Sequence, residues 1–459
     1  MSQLSLVRWH KPIVTPLLSV LAILGCVILA VMGYYVSFLF FSLFTMLVLG
    51  VPIAISLAGS CLLFVTISGQ VPDIVVAHRM INGIDSFPLL AIPFFIFAGS
   101  LMNNAGITER IFDFAKALMG WMRGGLGHVN VGASIVFSGM SGAAVADAGG
   151  LGMIEIKAMK DAGYDEEFAV GITAASSTIG PIIPPSLPMV IYGVMASASV
   201  GQLFAAGLVP GLLMGVILML MIFFLARRRG YQRDATFSMG VLGKTFAAAF
   251  LSLMTPVIIV GGIITGAFTP TEAAVAAVFY ALLLGVAVYR TLTWRKLLKV
   301  SMETIETTAV ILFIVASASI FAWILTSNQV TQNVVALMGP FADNKVAVLL
   351  ITNLVLIVVG CFMETIAAIT ILVPVLLPLV VAVGVDPVHF GVIMVLNLMI
   401  GLLTPPVGMV LYVLSRVSNI SFERCMRGTL PFLIPLFITL LLVTFIPAIS
   451  MWLPTLVYR

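Results

Sequence analysis

The sequence contains few charged residues. Only 9% of its 459 residues are Asp, Glu, Lys or Arg, whereas a soluble domain carries roughly 25%. The 22 basic and 18 acidic side chains are too few to cover a water-facing surface of this size. This composition excludes soluble enzymes, nucleic-acid-binding proteins and disordered scaffolds.

Cysteine and histidine are also scarce, and no phosphate-binding GxxxxGK[ST] loop occurs. The four cysteines are far apart and form no CxxC pair, which argues against a metal centre or a disulfide framework. The absent phosphate loop argues against transport powered by nucleotide hydrolysis on this chain. The four cysteines are Cys26, Cys61, Cys361 and Cys425.

One short motif is typical of an enzyme. Gly139-Met140-Ser141-Gly142 matches the nucleophile pattern of intramembrane serine proteases, but a serine nucleophile needs a base within hydrogen-bond reach. Of the four histidines, His128 and His389 lie at the ends of apolar segments rather than deep within them. We therefore expect no enzymatic activity and no cofactor.

Apolar residues dominate the chain, with 61% hydrophobic residues and a mean hydropathy of +1.21. Stretches near 20 apolar residues recur, each long enough to cross a hydrocarbon layer of about 30 Å as a helix. The first runs from Ile13 to Met32 after a basic start, and it is too long for the apolar core of a signal peptide. The sequence thus predicts an all-α polytopic protein in a lipid bilayer, with residues 1–33 as an extra N-terminal span.

The basic residues are clustered. Nine of the 22 fall between residues 227 and 299, on either side of residues 246–289, which carry a single charge, Glu272. Two spans joined by a short turn near Gly266 to Thr271 would place both clusters on one side, and the positive-inside bias makes that side the cytoplasm. We interpret residues 226–304 as a connecting hairpin that both clusters flank.

Four apolar segments are interrupted by Gly, Ser or Pro. Proline removes a helical hydrogen bond, and non-helical backbone persists at membrane depth only inside protein or beside water. The interruptions therefore predict two re-entrant helical hairpins and two broken helices. Hairpin 1 covers about 129–154, the first broken helix about 168–196, hairpin 2 about 346–382 and the second broken helix about 388–415.

These segments repeat at a nearly constant offset along the chain. The stretch from Ser100 resembles that from Trp323, Ser138 aligns with Gly360, and Pro184-Pro185 aligns with Pro405-Pro406. The chain therefore divides into two homologous halves, 34–225 and 305–459. An odd number of crossings between them would make the repeats inverted, and inverted repeats form substrate and ion sites at discontinuous helices.

The interruptions define the candidate binding sites. Free helix ends offer carbonyls to cations and amides to anions, and Ser and Thr add oxygen ligands without a full charge. We expect two sodium cages. Cage 1 comprises Ser138, Gly139, Ser141, Ser177, Thr178 and Gly180; cage 2 comprises Gly360, Met363, Thr365, Leu403, Thr404 and Pro405. We expect an organic anion beside them, at Ser141, Gly142, Pro185, Ser186, Thr365 and Pro406.

Two acids within these segments leave alternatives open. Intramembrane acids are functional candidates, so Asp147 and Glu364 could relay protons or complete a cation site. They could equally cap the half-helices of the hairpins. Since no Lys or Arg lies between 124 and 156 or between 346 and 415, an ion pair within either hairpin region is not expected.

Six pieces of the sequence together resemble one family, the large membrane (M) subunit of the tripartite ATP-independent periplasmic (TRAP) transporters, part of the ion transporter superfamily. The similarity covers nearly everything after residue 34, whereas the stretch 1–33 departs from it. The pieces are Leu49-Gly50-Val51-Pro52, Pro88 to Gly99, the serine–glycine stretch ending at Asp147, Pro184-Pro185-Ser186, Gly266 to Ala274, and Met363-Glu364-Thr365.

The resemblance implies a sodium-coupled symporter of the bacterial inner membrane with an elevator mechanism, in which a transport domain holding both hairpins moves against a scaffold. It also implies two partners, a small membrane (Q) subunit and a soluble periplasmic binding protein. The implied substrates are organic acids such as C4-dicarboxylates, keto acids or sialic acids. A proton-coupled organic-anion transporter or antiporter of the same superfamily is the alternative.

Overall fold

The computed structural model describes residues 24–337 and 344–458, and within these ranges it contains helices and no strands. Most of the predicted span at residues 1–33 lies outside the described residues; residues 24–31 are helical. We number the remaining α-helices in chain order. They are α1 (Tyr35–Val48), α2 (Ile53–Ser68), α3 (Ile74–Ile84), α4 (Ala91–Asn104), α5 (Ile107–Met119), α6 (Gly125–Ser141), α7 (Ala144–Gly149), α8 (Leu151–Asp161), α9 (Glu166–Ser177), α10 (Leu187–Met195), α11 (Val200–Arg229), α12 (Met239–Ile264), α13 (Pro270–Leu282), α14 (Trp294–Ser327), α15 (Val330–Leu337), α16 (Lys345–Phe362), α17 (Thr365–Ala382), α18 (Pro387–Gly401), α19 (Met409–Ser418), α20 (Phe422–Phe445) and α21 (Ala448–Val457).

Eight helical stretches in the described part are long and apolar enough to cross a membrane. The prediction of an all-α polytopic protein is therefore confirmed. The eight stretches are Phe87–Asn104, Val200–Arg229, Met239–Ile264, Pro270–Val288, Trp294–Ser327, Lys345–Phe362, Thr365–Ala382 and Phe422–Phe445.

The chain forms two compact units. The smaller unit comprises the residues up to Ile84 together with Phe313–Val330, which is the C-terminal part of α14 and the start of α15. Its helices pack through side chains from both segments: the rings of Phe40 and Phe321 lie edge to face at 5.7 Å, and Arg79 lies over the ring of Trp323 at 5.1 Å.

The larger unit has the two broken helices at its core. In α9 every residue from Phe168 to Ser177 is buried, and in α18 every residue from Val388 to Gly401 is buried. A helix that is covered on all sides belongs to a protein interior rather than a lipid-facing surface. The first arms of both broken helices are therefore enclosed by the rest of this unit, whereas Pro406 in the second break and Phe362 at the end of α16 are exposed.

Within the predicted connecting segment 226–304, a short turn joins two helices, whereas the predicted boundary at 304 falls inside α14. Helix α12 ends at Ile264, and α13 begins at Pro270 after Thr269. The Thr269 side chain accepts a hydrogen bond from the Glu272 backbone, and the Glu272 carboxylate accepts one from the Thr269 backbone. This reciprocal capping explains why the one charge in residues 246–289 occurs at the turn.

Candidate ion and substrate site

Hairpin 1 is formed by α6 on one arm and by α7 and α8 on the other. The chain reverses at Gly142, whose φ of 60° is readily adopted only by glycine. The returning arm is interrupted at Gly150, between α7 and α8. The arms run from Gly125 to Asp161, so the hairpin is longer than the predicted 129–154 at both ends.

The two ends of hairpin 1 meet at Asp234, in the segment that follows α11. Its carboxylate accepts a hydrogen bond from the backbone of Leu126 at 2.8 Å and another from the hydroxyl of Tyr164 at 2.5 Å. Burial raises the pKa of Tyr164, and the neighbouring carboxylate of Asp234 raises it further, so the phenol remains the donor. The base of hairpin 1 therefore lies at the first cluster of basic residues.

Hairpin 2 is formed by α16 and α17, in agreement with the predicted 346–382. Its base is closed by the ammonium of Lys345, which donates to the carbonyl of Gly384 at 3.0 Å. At its tip Met363 and Glu364 are extended, and the carboxylate of Glu364 caps α17 by accepting from the backbone of Ile366 at 2.8 Å. Of the three roles left open for Glu364, namely proton relay, cation ligand and helix cap, the structure shows the cap.

The two broken helices are α9–α10, interrupted at residues 178–186, and α18–α19, interrupted at residues 402–408. Both interruptions contain a cis Pro-Pro bond, Pro184-Pro185 and Pro405-Pro406. The backbone at these breaks forms turns instead of a continuous helix, with hydrogen bonds such as that from the Thr178 amide to the carbonyl of Ala175 at 3.3 Å and that from the Thr404 amide to the carbonyl of Gly401 at 2.9 Å.

The broken helices run in opposite directions within the larger unit. Near the end of the first, the hydroxyl of Tyr192 donates to the carbonyl of Pro387, at the start of the second, at 2.6 Å. At the other side, Lys160, close to the start of the first, reaches the carbonyl of Ser418, at the end of the second, at 3.5 Å. This antiparallel arrangement agrees with the predicted inverted repeats.

Each hairpin tip contacts the break of the helix in its own half. The carbonyl of Gly142 accepts from the backbone of Leu187 at 3.4 Å, and the carbonyl of Cys361 accepts from the backbone of Val407 at 3.2 Å. In the second half the contact is very close: a Cβ added to Gly360 would lie 3.2 Å from the Cα of Gly401. The predicted pairing of tips with breaks is therefore present in both halves.

The residues of cage 1 are only partly assembled. The hydroxyls of Ser138, Ser177 and Thr178 donate to carbonyls within their own helices, at 2.6, 2.9 and 2.6 Å. Gly139 packs against Pro256 of α12. Within the described residues, Gly142 at the tip contacts the break at Pro185 to Leu187, and the predicted contact with Ser177 to Gly180 stays a prediction. The Ser141 side chain lies outside the described part of the structure.

The residues proposed for the anion in this half lie where tip 1 meets the break. A Cβ on Gly142 would lie 2.6 Å from the carbonyl oxygen of Pro185. The hydroxyl of Ser186 donates to the carbonyl of Pro181 and caps α10 by accepting from the backbone of Met189. Gly142, Pro185 and Ser186 are therefore neighbours, as the sequence predicted.

Cage 2 contains one side chain with unused hydrogen-bonding capacity. The hydroxyl of Thr365 is buried, at 2% exposure, and has no hydrogen-bond partner in the described part of the chain. By contrast, the hydroxyl of Thr404 donates to the carbonyl of Ile400 at 2.8 Å. A buried polar group without a partner calls for an explanation, and a bound ion or substrate is one. Met363, Leu403, Pro405 and Pro406 lie in the tip and the break of this half.

Two asparagine links join the hairpins to the broken helices and were not predicted from the sequence. In link 1, Asn130 of α6 accepts from Ser176 of α9 at 2.6 Å and donates to Thr173 at 2.7 Å. In link 2, Asn353 of α16 accepts from Asn397 of α18 at 2.8 Å and donates to Thr444 of α20 at 3.2 Å. The signal was available, since Asn130 and Asn353 are separated by the same offset as the repeated landmarks Ser100 and Trp323.

Hairpin 1 contains a second buried acid, Glu155, which was not predicted from the sequence. Asp147 and Glu155 are each 1% exposed and close enough to interact electrostatically. One carboxylate oxygen of each has no hydrogen-bond partner within the described residues, and neither forms an ion pair there. Within the described residues, Asp147 therefore forms no ion pair and makes no helix cap.

Comparison with known proteins identifies the family. Residues 40–449 match the profile of the tripartite ATP-independent periplasmic transporter, DctM component. The chain therefore belongs to this family of transporter permeases, which are multi-pass proteins of the bacterial inner membrane and not enzymes.

Individual relatives agree with the family assignment. The chain is 51% identical over 407 residues to the sialic acid TRAP transporter large permease protein SiaM of Vibrio cholerae, covering 89% of this chain and 95% of that one. It is 44% identical over 408 residues to the sialic acid TRAP transporter permease protein SiaT of Haemophilus influenzae, covering 89% of this chain and 66% of that one.

The fold is similar to that of a solved transporter. The crystal structure of the YdaH transporter of Alcanivorax borkumensis, described as having an unusual topology, superposes with a TM-score of 0.58, covering 82% of this chain and 88% of that one. At 14% identity the likeness concerns the fold alone.

Proposed function

We propose that this chain is the large permease subunit of a sodium-coupled secondary transporter that imports an organic acid by an elevator movement. The observation that carries the proposal is the pair of oppositely directed broken helices, each with a hairpin tip at its break. In secondary transporters such discontinuous helices supply amides to anionic groups and carbonyls to sodium. A charge-poor interior of backbone, serine and threonine oxygens suits a monovalent cation.

For the substrate we propose a carboxylated sugar acid of the sialic acid class. Two relatives at 51% and 44% identity are named as sialic acid transporters. C4-dicarboxylates and keto acids, the other substrates implied by the family resemblance, are the alternatives. The carboxylate would lie at the hairpin tips, near Ser186 in the first half and Thr365 in the second.

We propose two protein partners, a small membrane (Q) subunit and a periplasmic binding protein that delivers the acid. The family name denotes a tripartite transporter, of which this chain matches one component. In the described part of the chain, the helices and their short connections leave no separate soluble domain that could capture substrate. The permease therefore depends on a partner for substrate capture.

The test is uptake of labelled sialic acid into proteoliposomes at constant pH. We expect uptake when an inward sodium gradient is imposed on the complete system of permease, small subunit and loaded binding protein. Omitting either partner should abolish it. Full-rate uptake of free substrate by the lone chain would contradict the tripartite proposal.

A specific observation favours proton coupling as the second candidate function. Asp147 and Glu155 are buried without a cation within the described residues, and buried acids are typical of proton relays. The same proteoliposomes distinguish the candidates. Uptake driven by a proton gradient in sodium-free buffer, with no response to a sodium gradient, would replace the sodium proposal.

A further inference from the structure

The two asparagine links occupy equivalent positions in the repeat. The offset from Asn130 to Asn353 equals that from Ser100 to Trp323, and the offset from Ser176 to Asn397 equals that between the two Pro-Pro pairs. In both halves the asparagine lies on the first arm of a hairpin and accepts a hydrogen bond from the helix that precedes the break. The repeat has therefore preserved the bond although one donor is a hydroxyl and the other an amide.

Both links are dry. Asn130, Ser176 and Asn397 are fully buried, and Asn353 is 5% exposed. An amide has both donor and acceptor groups, so a single asparagine can hold two partners. A buried amide that lost a partner would carry a desolvation penalty. The links therefore hold each hairpin arm at a defined position on its broken helix.

The links lie close to the predicted cages. Ser176 is next to Ser177 of cage 1, and Asn397 is one helical turn before the end of α18. Along a helix rising about 1.5 Å per residue, Asn130 is about 12 Å from Ser138, and Asn353 is about 10 Å from Gly360. A shift of either arm by a fraction of a turn would thus displace a tip relative to its break.

We propose that Asn130 and Asn353 are positioning residues, which fix each hairpin to its broken helix so that the sodium cages at the tips keep their geometry. This rests on the proposed sodium coupling. Neither residue contacts the ion. Link 1 attaches its arm to the broken helix alone, whereas link 2 attaches its arm to both the broken helix and α20.

The test uses the complete transporter with single substitutions in the permease. Asn130→Ala and Asn397→Ala each remove a link. Asn397→Ser gives the second half the hydroxyl donor that the first half has at Ser176. Thr429→Val is the matched control, because this buried hydroxyl donates only to the carbonyl of Cys425 within its own helix.

We expect Asn130→Ala and Asn397→Ala to raise the sodium concentration for half-maximal uptake by about three- to tenfold, from the measured range of interhelical hydrogen bonds in membranes. Asn397→Ser and Thr429→Val should stay within about twofold of the wild type. Hydrogen exchange of the tip peptides should become faster in the two alanine variants and remain unchanged in the other two.

A merely structural role predicts another pattern. If the alanine variants lost thermal stability and expression but kept the wild-type sodium dependence, as Thr429→Val is expected to keep it, the positioning role would be overturned. Equal damage by Asn397→Ser and Asn397→Ala would overturn the equivalence of the two links. If the wild type itself did not respond to sodium, the proposed function would fail first, and the positioning role would fail with it whatever the hydrogen exchange showed.

Discussion

The tip of hairpin 1 turns through Gly142 in a left-handed conformation, whereas the tip of hairpin 2 turns through Met363 and Glu364 in extended conformations. Both tips nevertheless reach the break of their broken helix. The repeat has therefore kept the position of the reversal and its contact while the local backbone geometry has diverged.

The buried acids of the two hairpins also differ, in their hydrogen-bond partners. Glu364 at tip 2 is satisfied by two backbone amides, whereas Asp147 and Glu155 in hairpin 1 retain carboxylate oxygens without a partner in the described part. An acid that caps a helix is structural in the first place. The unpartnered pair is the place to look for a functional acid.

The largest expected effect concerns the glycines where tip and break touch. A Cβ on Gly401 would lie 2.6 Å from the Cα of Gly360, and backbone has little room to move. We expect Gly401→Ala to destabilise the protein by about 3 kcal/mol, as overpacking does, and Gly142→Ala to do so in the first half. The measurement is the thermal unfolding of the purified complex.

Gly261 provides the control for this prediction. It lies inside α12 with no atom within 4 Å of an added Cβ, so Gly261→Ala should leave the unfolding temperature unchanged or slightly raised. If Gly142→Ala were as harmless as Gly261→Ala while Gly401→Ala unfolded the protein, only the second half would depend on a tight tip contact.

The next effect concerns the sodium cages. Removing the unpartnered hydroxyl in Thr365→Val should raise the sodium concentration for half-maximal uptake about five- to hundredfold, corresponding to about 1 to 3 kcal/mol. Thr404→Val should have a smaller effect, since that hydroxyl is bonded to Ile400. Ser141→Ala is the counterpart in the first half.

Thr439→Val is the matched control for these variants, because its buried hydroxyl donates to Pro435 within α20. Wild-type sodium dependence in both Thr365→Val and Ser141→Ala, with normal expression, would remove the support for two cages. A proton relay through Asp147 would then become the better hypothesis.

Smaller effects on the free energy of unfolding, opposite in sign to each other, are expected for substitutions of Glu364 and Asp147. Glu364→Ala removes a helix cap and should lower the free energy of unfolding by about 1 kcal/mol. Asp147→Asn neutralises a buried acid without an ion pair and should leave stability unchanged or raise it. Unfolding in detergent measures both, and a loss of stability in Asp147→Asn would show that its charge is satisfied.

The smallest effect on stability is expected for two basic residues, Arg424, which contacts the start of α9, and Lys345, at the base of hairpin 2. Arg424 bonds Glu166 at 3.2 Å and Glu167 at 3.3 Å, so Arg424→Met should lower the unfolding temperature slightly, and by less at high salt. Lys345 donates to a neutral carbonyl, so Lys345→Met should show no such salt dependence. If the stability losses of Arg424→Met and Lys345→Met depended equally on salt, both contacts would be electrostatic in origin.

Much of this arrangement could be predicted from the sequence because Pro and Gly interrupt helices locally. The predicted range of hairpin 2, 346–382, nearly coincides with the observed arms, Lys345–Phe362 and Thr365–Ala382. The base of hairpin 1 was missed because α8 continues beyond the apolar stretch into Lys157 and Asp161. Asn130 and Asn353 were missed because their partners are distant in sequence.

Two contacts, one at the base of hairpin 1 and one at the start of α9, join residues that are synthesised at very different times. Leu126 bonds Asp234, which is 108 residues later, and Glu167 bonds Arg424, which is 257 residues later. At a synthesis rate of about 5 to 20 residues per second, Arg424 is added to the chain roughly 13 to 50 s after Glu167. During that interval Asp147 and Glu155 have been made while α19 and α20 have not. The two acids are therefore made before the helices that complete their surroundings, and we expect a nascent chain stalled before residue 424 to be degraded more readily than the full-length protein.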